Sequence, residues 1–575
     1  MSNALEFDVA IIGGGPAGAT AGGFLLKHNP ELRVGIFERE QFPRDHVGES
    51  QLPPIPFILD ELGCWDKVEA ANFPIKVGAT YRWGKCPELW HLEFFPFDEF
   101  KEEARPAKFE GQRQRTAFQV DRSIYDKILL DHAESLGCEV FEGTKVTSVE
   151  TDGDKVLGLT IAGARDHESR VTAKHYIDAS GSSGILRRAM NISCDYPTKL
   201  QNIAIWEYWQ NAEWAMKIGV GGTRIQVLSL PYGWIWFIPL GPTRTSIGLV
   251  VPASYYKSCG EKPADLFRRA IAEESIVAEL TKAASSEGKT YTTRDWSFIA
   301  KRHVGQNWFL AGETAGFADP ILSAGMTMAH MTGREAAFTI LELDRGGADP
   351  AWLKEEFERR QSARIVTHIR FADYWYTANT QFKELKEFTA ELASAAGLNL
   401  DPGRAWAWLS QGGFIDEDGS FGTGGFSLTH VKSFSEFISE LAADSPVAEN
   451  NIFELDLAGA SWKDRAGYRE GRVHRDACYI RGNRVLPVVG AYEFVVNLLQ
   501  LEKTAPGILE RVRAAVARRP DDIPYRAMIA QLPQALEAMI RDGWVKPSYD
   551  PTMPRLQVLG APREIRWDHE IKLPT

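Results

Sequence analysis

Apolar positions along the first third of the chain come in short runs separated by glycine-rich turns. Residues 7–12 (FDVAII) form an uninterrupted run rich in β-branched residues, the pattern of a strand buried on both faces. A turn follows, then a helix-period segment to about His28, then a second predicted strand from Arg33 to Phe37 that ends at Glu38. The strand-then-turn pattern returns at 174–183 (KHYIDASGSS) and at 306–325 (QNWFLAGETAGFADPILSAG), with a helix predicted from about Met326. Two intervening stretches, about 77–119 and 201–251, are predicted as β-rich inserts. Aromatics such as Trp206, Tyr208 and Trp209 suit a sheet that roofs a cavity. From Trp352 to Lys386 the pattern is helical, with Phe371, Tyr374, Trp375 and Phe382 at helical spacing; core packing is the expectation and cavity lining the alternative. Strands alternating with helices point to an α/β class.

Composition narrows the class. The chain has 575 residues, 44% hydrophobic and 25% charged, which excludes a disordered, collagen-like or coiled-coil chain. A net charge of −12 argues against a general nucleic-acid binder, because phosphate neutralisation needs a basic face. The six cysteines (Cys64, Cys86, Cys138, Cys194, Cys259, Cys478) form no CxxC pair and fit no zinc spacing, so no metal site is expected. With no signal-peptide pattern they read as reduced, in a cytoplasmic protein. Val9 to Leu26 is uncharged over a length that reaches a membrane span, but six glycines and Pro16 within it fit a turn better than a lipid helix, and no membrane partner is expected. The 17 tryptophans suit either aromatic pockets or a large core.

The turn after the first strand carries the first chemical sign. Gly13-Gly14-Gly15-Pro16-Ala17-Gly18 fits G-x-G-x-x-G between a strand and a helix. Gly13 permits the tight turn, Gly15 lets the backbone approach a pyrophosphate, and Gly18 lets helix and strand pack closely, with the helix N-terminus facing the phosphates. Glu38 lies 20 residues after Gly18, where an acid bonds ribose hydroxyls. The order of elements predicts a dinucleotide site, and leaves NAD, NADP and FAD open.

Further motifs distinguish them. The fingerprint, the strand ending Asp178-Ala179-Ser180-Gly181 and the late strand–Gly312–Glu313 pair together resemble the FAD domain of the aromatic-hydroxylase and halogenase superfamily. The resemblance gives the late glycine and acid a contact with the flavin ribityl chain, with Glu313 where relatives carry Asp. Residues 119–137 (QVDRSIYDKILLDHAESLG) also look like that superfamily, and Arg122 is expected near the cofactor phosphates, an exposed helix cap being the alternative. FPRDHVGES at 42–50, NFPIKVGATYRWG at 72–84 and GWIWFIP at 233–239 narrow the resemblance to the flavin-dependent halogenases, over about residues 5–345. W-x-W-x-I-P, here Trp234, Trp236, Ile238 and Pro239, is the most specific of these signs.

That resemblance implies a concrete site. Reduced FAD and O2 would oxidise chloride or bromide to hypohalous acid, which a tunnel carries to a lysine beside the substrate; by motif this is Lys76, the expected catalytic residue. A lysine is a mobile donor whose pKa falls on burial. Trp234, Trp236, Ile238 and Pro239 are expected to wall the flavin side of the tunnel. The halide is expected at Ser323-Ala324-Gly325, where backbone N–H groups open a helix. Cofactor contacts are expected at Gly13, Gly15, Ala17, Gly18, Glu38, Arg39, Arg44, Gly48, Glu49, Ser50, Arg122, Asp178, Gly312, Glu313, Asp319, Gly325 and Met326. Leu322 stands where the tryptophan halogenases place a glutamate, which points to a phenol-, pyrrole- or acyl-acting branch. Asp295 is a candidate covalent tether of, or contact to, the flavin rim, the alternative being a structural hydrogen-bonder.

The last 230 residues lie beyond the resemblance to the hydroxylases. The expected division is a FAD-binding halogenase core at 1–345 and a mainly α C-terminal domain at 346–575. Glycine pairs at 412–413 and 424–425 bracket a loop-like stretch; 491–501, 508–518 and 529–541 read as short helices before strand-like Trp544-Val545. That order resembles a winged helix at about 488–550. The extension as a whole is similar to that of halogenases related to the chloramphenicol-pathway enzyme. Lys463 to Arg484 carries a net charge of +4 and suits an acidic partner such as a carrier protein, a solvated face being the alternative. No second nucleotide fingerprint is present, so a separate NAD(P)H-dependent flavin reductase is the expected source of reduced FAD. Competing readings are an aromatic hydroxylase or isoprenoid reductase on the same fold, and a flavin-sensing regulator using the winged helix.

Overall fold

The computed structural model describes residues 5–83, 88–94, 99–101, 103–163, 168–216, 221–377, 379, 446–482, 484–519, 522–556 and 565–567. Cys86, Phe382 and the two Gly-Gly-Phe sites expected at 412–414 and 424–426 lie outside the described residues, as does the side chain of Asp295.

The apolar run at the N-terminus is strand β1 (Leu5–Ile12), with Val9 to Ile12 buried as a parallel strand covered on both faces requires. Helix α1 (Pro16–His28) follows, then β2 (Val34–Phe37). The parallel part of the first sheet is completed by a short strand at Glu139–Phe141 beside β2, by β4 (Glu168–Asp178) beside β1 and by β9 (Trp308–Leu310) beside β4. An antiparallel hairpin, Lys145–Asp152 with Lys155–Ala162, extends it. Ile12 pairs with both Phe37 and Asp178, and Asp178 with Leu310, so the turns that leave these strands emerge side by side at the carboxyl edge of the sheet. Ligands of doubly wound folds bind at that edge. Helix α2 (Arg122–Ser135) packs against α1.

The two predicted inserts join one ten-stranded sheet. Strand β3 (Ile75–Arg82) comes from the first; β5 (Gln201–Gln210), β6 (Gly222–Leu230), β7 (Gly233–Pro239) and β8 (Arg244–Pro252) come from the second. β3 and β6 run parallel, and the register slips by one residue between Lys76 and Gly78. Such a bulge re-aims the side chains beside it.

Helix α3 (Ala324–Arg345) crosses α1 closely: a Cβ on Gly333 would lie 2.3 Å from the Ala17 carbonyl oxygen. Helix α4 (Pro350–Thr377) packs on α3 through a buried ion cluster. Glu335 accepts from Arg360 Nε at 2.9 Å and Arg364 Nη2 at 2.7 Å. Burial alone would raise its pKa, but the two guanidiniums outweigh that and hold the carboxyl well below its ordinary value. Phe371, Tyr374 and Trp375 are buried, as core packing predicted.

In the C-terminal region the helices are Gly490–Leu501, Ala505–Ala517, Ile523–Ala530 and Leu532–Arg541. The expected helix at 529–541 is divided at Gln531, because Pro533 lacks the N–H that would continue the preceding helix and instead opens the next. The strand-like Trp544-Val545 leads into Val545–Ser548, which pairs antiparallel with Ile452–Leu455. Most guanidiniums of the basic run lie in a hairpin, β10 (Ser461–Arg469) and β11 (Arg472–Arg481), and much of their charge is internally matched. Arg465 pairs with Glu356 at 2.8 Å, Arg469 with Asp476 at 2.7 Å and Arg475 with Asp464 at 3.1 Å. The hairpin also clasps helix α3: Arg334 Nη2 donates to Tyr468 O at 2.9 Å and Arg345 Nη1 to Gly471 O at 2.7 Å.

Candidate active site

The cofactor end is built at the carboxyl edge of the first sheet. Gly13 sits at φ +104°, and a Cβ there would meet the Ala179 carbonyl oxygen at 2.4 Å; one on Gly18 would lie 1.9 Å from Gly13 O. Only glycine permits this turn. Gly15 is the N-cap of α1, and among the described residues no side chain caps that helix and a Cβ on Gly15 would meet only Arg44 Nη2, at 3.6 Å. Ala17 is buried in the first turn. Uncapped N–H groups facing open space suit a pyrophosphate. Glu38 is buried beside them, accepting from Gly14 N at 2.7 Å and Glu40 N at 2.9 Å. Arg39 is exposed and pairs with Glu40.

The 44–50 segment is clamped onto α2. Arg122 forms a two-pronged pair with Asp126, at 2.6 and 2.8 Å, and its Nη1 donates to the carbonyls of Val47 and Gly48 at 3.1 Å. Arg44 meets the same Asp126 at 3.1 Å. The helix cap is Asp121, not Arg122. Gly48 lies at φ +97°. Glu49 accepts from Gly48 N at 3.0 Å and the Tyr208 hydroxyl at 3.1 Å, and burial raises its pKa to about 7. Asp178 accepts from Ser180 N and Oγ and from Leu186 N, so its carboxylate shapes the turn after β4. Gly312 at φ +68° donates its N–H to Thr332 Oγ1 at 2.6 Å; half-buried Glu313 has its pKa raised by burial.

The loop from Asp319 to Met326 meets the W-x-W-x-I-P strand through a residue that sequence reasoning did not single out. The Tyr376 hydroxyl accepts from Trp234 Nε1 at 2.8 Å and donates to Asp319 Oδ1 at 3.2 Å, while Asn202 Nδ2 donates to Asp319 Oδ2 at 3.2 Å. Burial raises the Asp319 pKa, and nearby Asp373 pushes it the same way. Trp236 fits because its strand neighbour is Gly248, where a Cβ would lie 2.1 Å from the indole. Ile238 and Pro239 are buried on the same strand. Ser323, at φ +54°, is the N-cap of α3, and among the described residues no side chain caps this helix. Ala324 is buried, Gly325 is exposed, and a Cβ on Gly325 would meet only Phe317 at 3.8 Å. This second uncapped N-terminus offers N–H donors to a small anion. Met326 and Leu322 are buried.

Lys76 is 1% exposed on β3. Its Nζ donates to Ser50 Oγ at 2.7 Å and Gln51 O at 2.9 Å, and stands 5.2 Å from the centre of the Phe94 ring. Burial lowers its pKa to about 7, so amine and ammonium are both populated at neutral pH. Asp295 contributes its backbone to a strand pairing with β5, opposite Asn202.

Of the residues missed, Asp126 had a signal, the four-residue helical spacing from Arg122. Tyr376 lay inside an aromatic run that helical spacing already explained, and Asn202 is placed only by the second sheet.

Comparison with known proteins gives the family. The family described as "FAD binding domain" matches residues 6–370. The tryptophan 2-halogenase of Chondromyces crocatus is 31% identical over 390 residues, 67% of this chain and 70% of that one. The 1H-pyrrole-2-carbonyl-(peptidyl-carrier protein) chlorinase of Pseudomonas fluorescens is 32% identical over 59% of this chain and 76% of that one. Among solved structures, the myxobacterial chondrochloren halogenase CndH aligns with a TM-score of 0.59 at 26% identity, covering 76% of this chain and 97% of its own. The flavin-dependent halogenase CmlS shares the fold at a TM-score of 0.69 and 24% identity, across 96% of this chain and 98% of its own. No described helix is long and apolar enough to cross a membrane. The chain belongs to the flavin-dependent halogenases, oxidoreductases that use FAD with a halide and O2.

Proposed function

We propose that Lys76 is the residue that delivers halogen to an electron-rich aromatic or enolisable acyl substrate. The observation that carries this reading is the buried Lys76 amine, held on two acceptors with a pKa near neutrality. Bound reduced FAD with O2 supplies the oxidising equivalents that turn halide into hypohalous acid. The chain's own residues do the rest. The uncapped N-terminus of α3 at Ser323-Ala324-Gly325 holds the halide by backbone N–H groups, and the Gly15 end of α1 holds the pyrophosphate. Trp234 and Trp236, fixed by Tyr376 and Ser246, wall the passage and exclude bulk water. The neutral Lys76 amine takes the halogen: an N–X bond forms, the O–X bond breaks, and the released hydroxide takes the amine proton to give water.

Leu322, buried beside the halide turn, offers no carboxylate to polarise an unactivated ring, which supports a phenol, pyrrole or acyl substrate. The chlorinase relative acts on a pyrrole held by a peptidyl carrier protein, which supports a carrier-tethered substrate. A separate flavin reductase would supply reduced FAD, and the cytoplasm is the proposed compartment. We assign residues 1–345 to this chemistry and 346–575 to substrate choice.

The test supplies reduced FAD, O2 and NaCl or NaBr with carrier-bound acyl and aryl groups and reads intact mass. Halide-dependent mass gains of one or more halogens support the reading, with Lys76→Ala abolishing product while flavin binding and O2 consumption persist. Halide-independent oxygen insertion would favour a hydroxylase and overturn it.

A further inference from the structure

Two residues along the strand facing Lys76 lies a buried amide with no partner among the described residues. Gln119 is fully buried, and among the described residues neither its Oε1 nor its Nε2 has a hydrogen-bond partner. A buried polar group left so costs about 1–3 kcal/mol. Two strand registers fix where this side chain points. Ser50 and Gln119 are opposite one another in an antiparallel bridge, flanked by Gln51 N to Phe118 O at 3.0 Å and Val120 N to Glu49 O at 2.8 Å. Those bonds make Ser50 and Gln119 a non-hydrogen-bonded pair, the kind in which facing side chains approach most closely. On the other side, Lys76 pairs with Ala117, two residues from Gln119 and so on the same face. The Ser50 hydroxyl reaches Lys76 Nζ at 2.7 Å. Lys76, Ser50 and the unpartnered amide therefore share one face of one ribbon.

We propose that Gln119 is the residue that positions hypohalous acid at Lys76, its amide taking the hydroxyl end while the amine meets the halogen. This rests on the halogenase reading of Lys76. The ligand follows from the chemistry of the lining. A primary amide offers a donor and an acceptor on one edge, and a single hydroxyl can satisfy both: its hydrogen goes to Oε1 and its oxygen accepts from Nε2. Nζ already donates to Ser50 and Gln51, so in its neutral form both N–H bonds are engaged and the lone pair is the group left for a ligand. A molecule with a hydroxyl at one end and an electrophilic halogen at the other meets both needs. The complete burial of the amide favours an occupant of this size over a large substrate group. The effect of Gln119 is to turn the halogen toward the amine rather than the hydroxyl.

The test compares the holoenzyme with Gln119→Leu, Gln119→Met and Lys76→Met without added substrate, using bromide as the halide. After turnover with reduced FAD and O2, the desalted protein is titrated with thionitrobenzoate for retained oxidising equivalents, and escaping oxidant is trapped with monochlorodimedone. Flavin-free protein is also dosed with one equivalent of hypobromous acid. The expected result is a several-fold loss of the Lys76-dependent retained equivalents in both Gln119 variants and in both formats. In turnover the escaping oxidant rises correspondingly, and FAD affinity is unchanged. Wild-type retention in the Gln119 variants, with loss only in Lys76→Met, would overturn the role of Gln119 and leave Lys76 standing. Wild-type retention in Lys76→Met would overturn both. Weakened FAD binding in the Gln119 variants would make the residue a flavin contact and the proposal wrong.

Discussion

The Tyr376 hydroxyl joins the indole N–H of Trp234 to the carboxyl of Asp319 in one chain of hydrogen bonds. It therefore locks the W-x-W-x-I-P strand to the loop that leads from Asp319 to Ser323. Tyr376→Phe is expected to leave flavin bound but to lower halogenated product per O2 consumed by about tenfold. It also leaves a buried indole N–H unpaired, a loss of about 1–3 kcal/mol. Product, peroxide and O2 measured together, with urea unfolding alongside, check both parts.

Lys76 makes stability depend on pH in a stated direction. Its folded pKa is lowered, to about 7, so between there and the ordinary lysine value of 10.5 the unfolded chain binds more protons. The cost of burying this amine is therefore greatest below pH 7 and shrinks as pH rises. Lys76→Met is expected to unfold later than wild type at pH 6, with the gap closing above pH 7 by up to about 1.4 kcal/mol per pH unit. Denaturant titrations at pH 6, 8 and 9.5 measure it.

Gly18→Val is expected to abolish flavin retention, since even a Cβ would sit 1.9 Å from Gly13 O. Colourless purified protein with retained helicity by circular dichroism is the expected outcome.

Glu335→Ala leaves the guanidiniums of Arg360 and Arg364 buried without their shared carboxylate. Uncovering a buried charge costs about 3–5 kcal/mol, and the urea midpoint is expected to fall accordingly.

The parts legible in the sequence were those that local chain geometry dictates. The Gly13–Gly18 turn needs glycine for steric reasons within a few residues, so its spacing is written in order along the chain. The Lys76 strand and the W-x-W-x-I-P strand were legible as motifs, but not their membership of one sheet, because their intermediary β6 bears no motif of its own. Tyr376 and Gln119 were illegible for a different reason. A tyrosine in an aromatic run and a glutamine at a strand end look ordinary until strand register and helix packing place them beside Trp234 and Lys76. The excess positive charge of 463–484 was legible, but its partners, Glu356 above all, come from elsewhere in the fold.

The clasp between the β10–β11 hairpin and helices α3 and α4 has a consequence for assembly on the ribosome. Arg334 and Arg345 sit on the helix that opens at Ser323, yet their carbonyl partners at Tyr468 and Gly471 are synthesised more than 120 residues later. A nascent chain that has made every flavin motif still lacks the outer brace of that helix. The last quarter of translation thus supplies the carbonyls that brace this helix from outside.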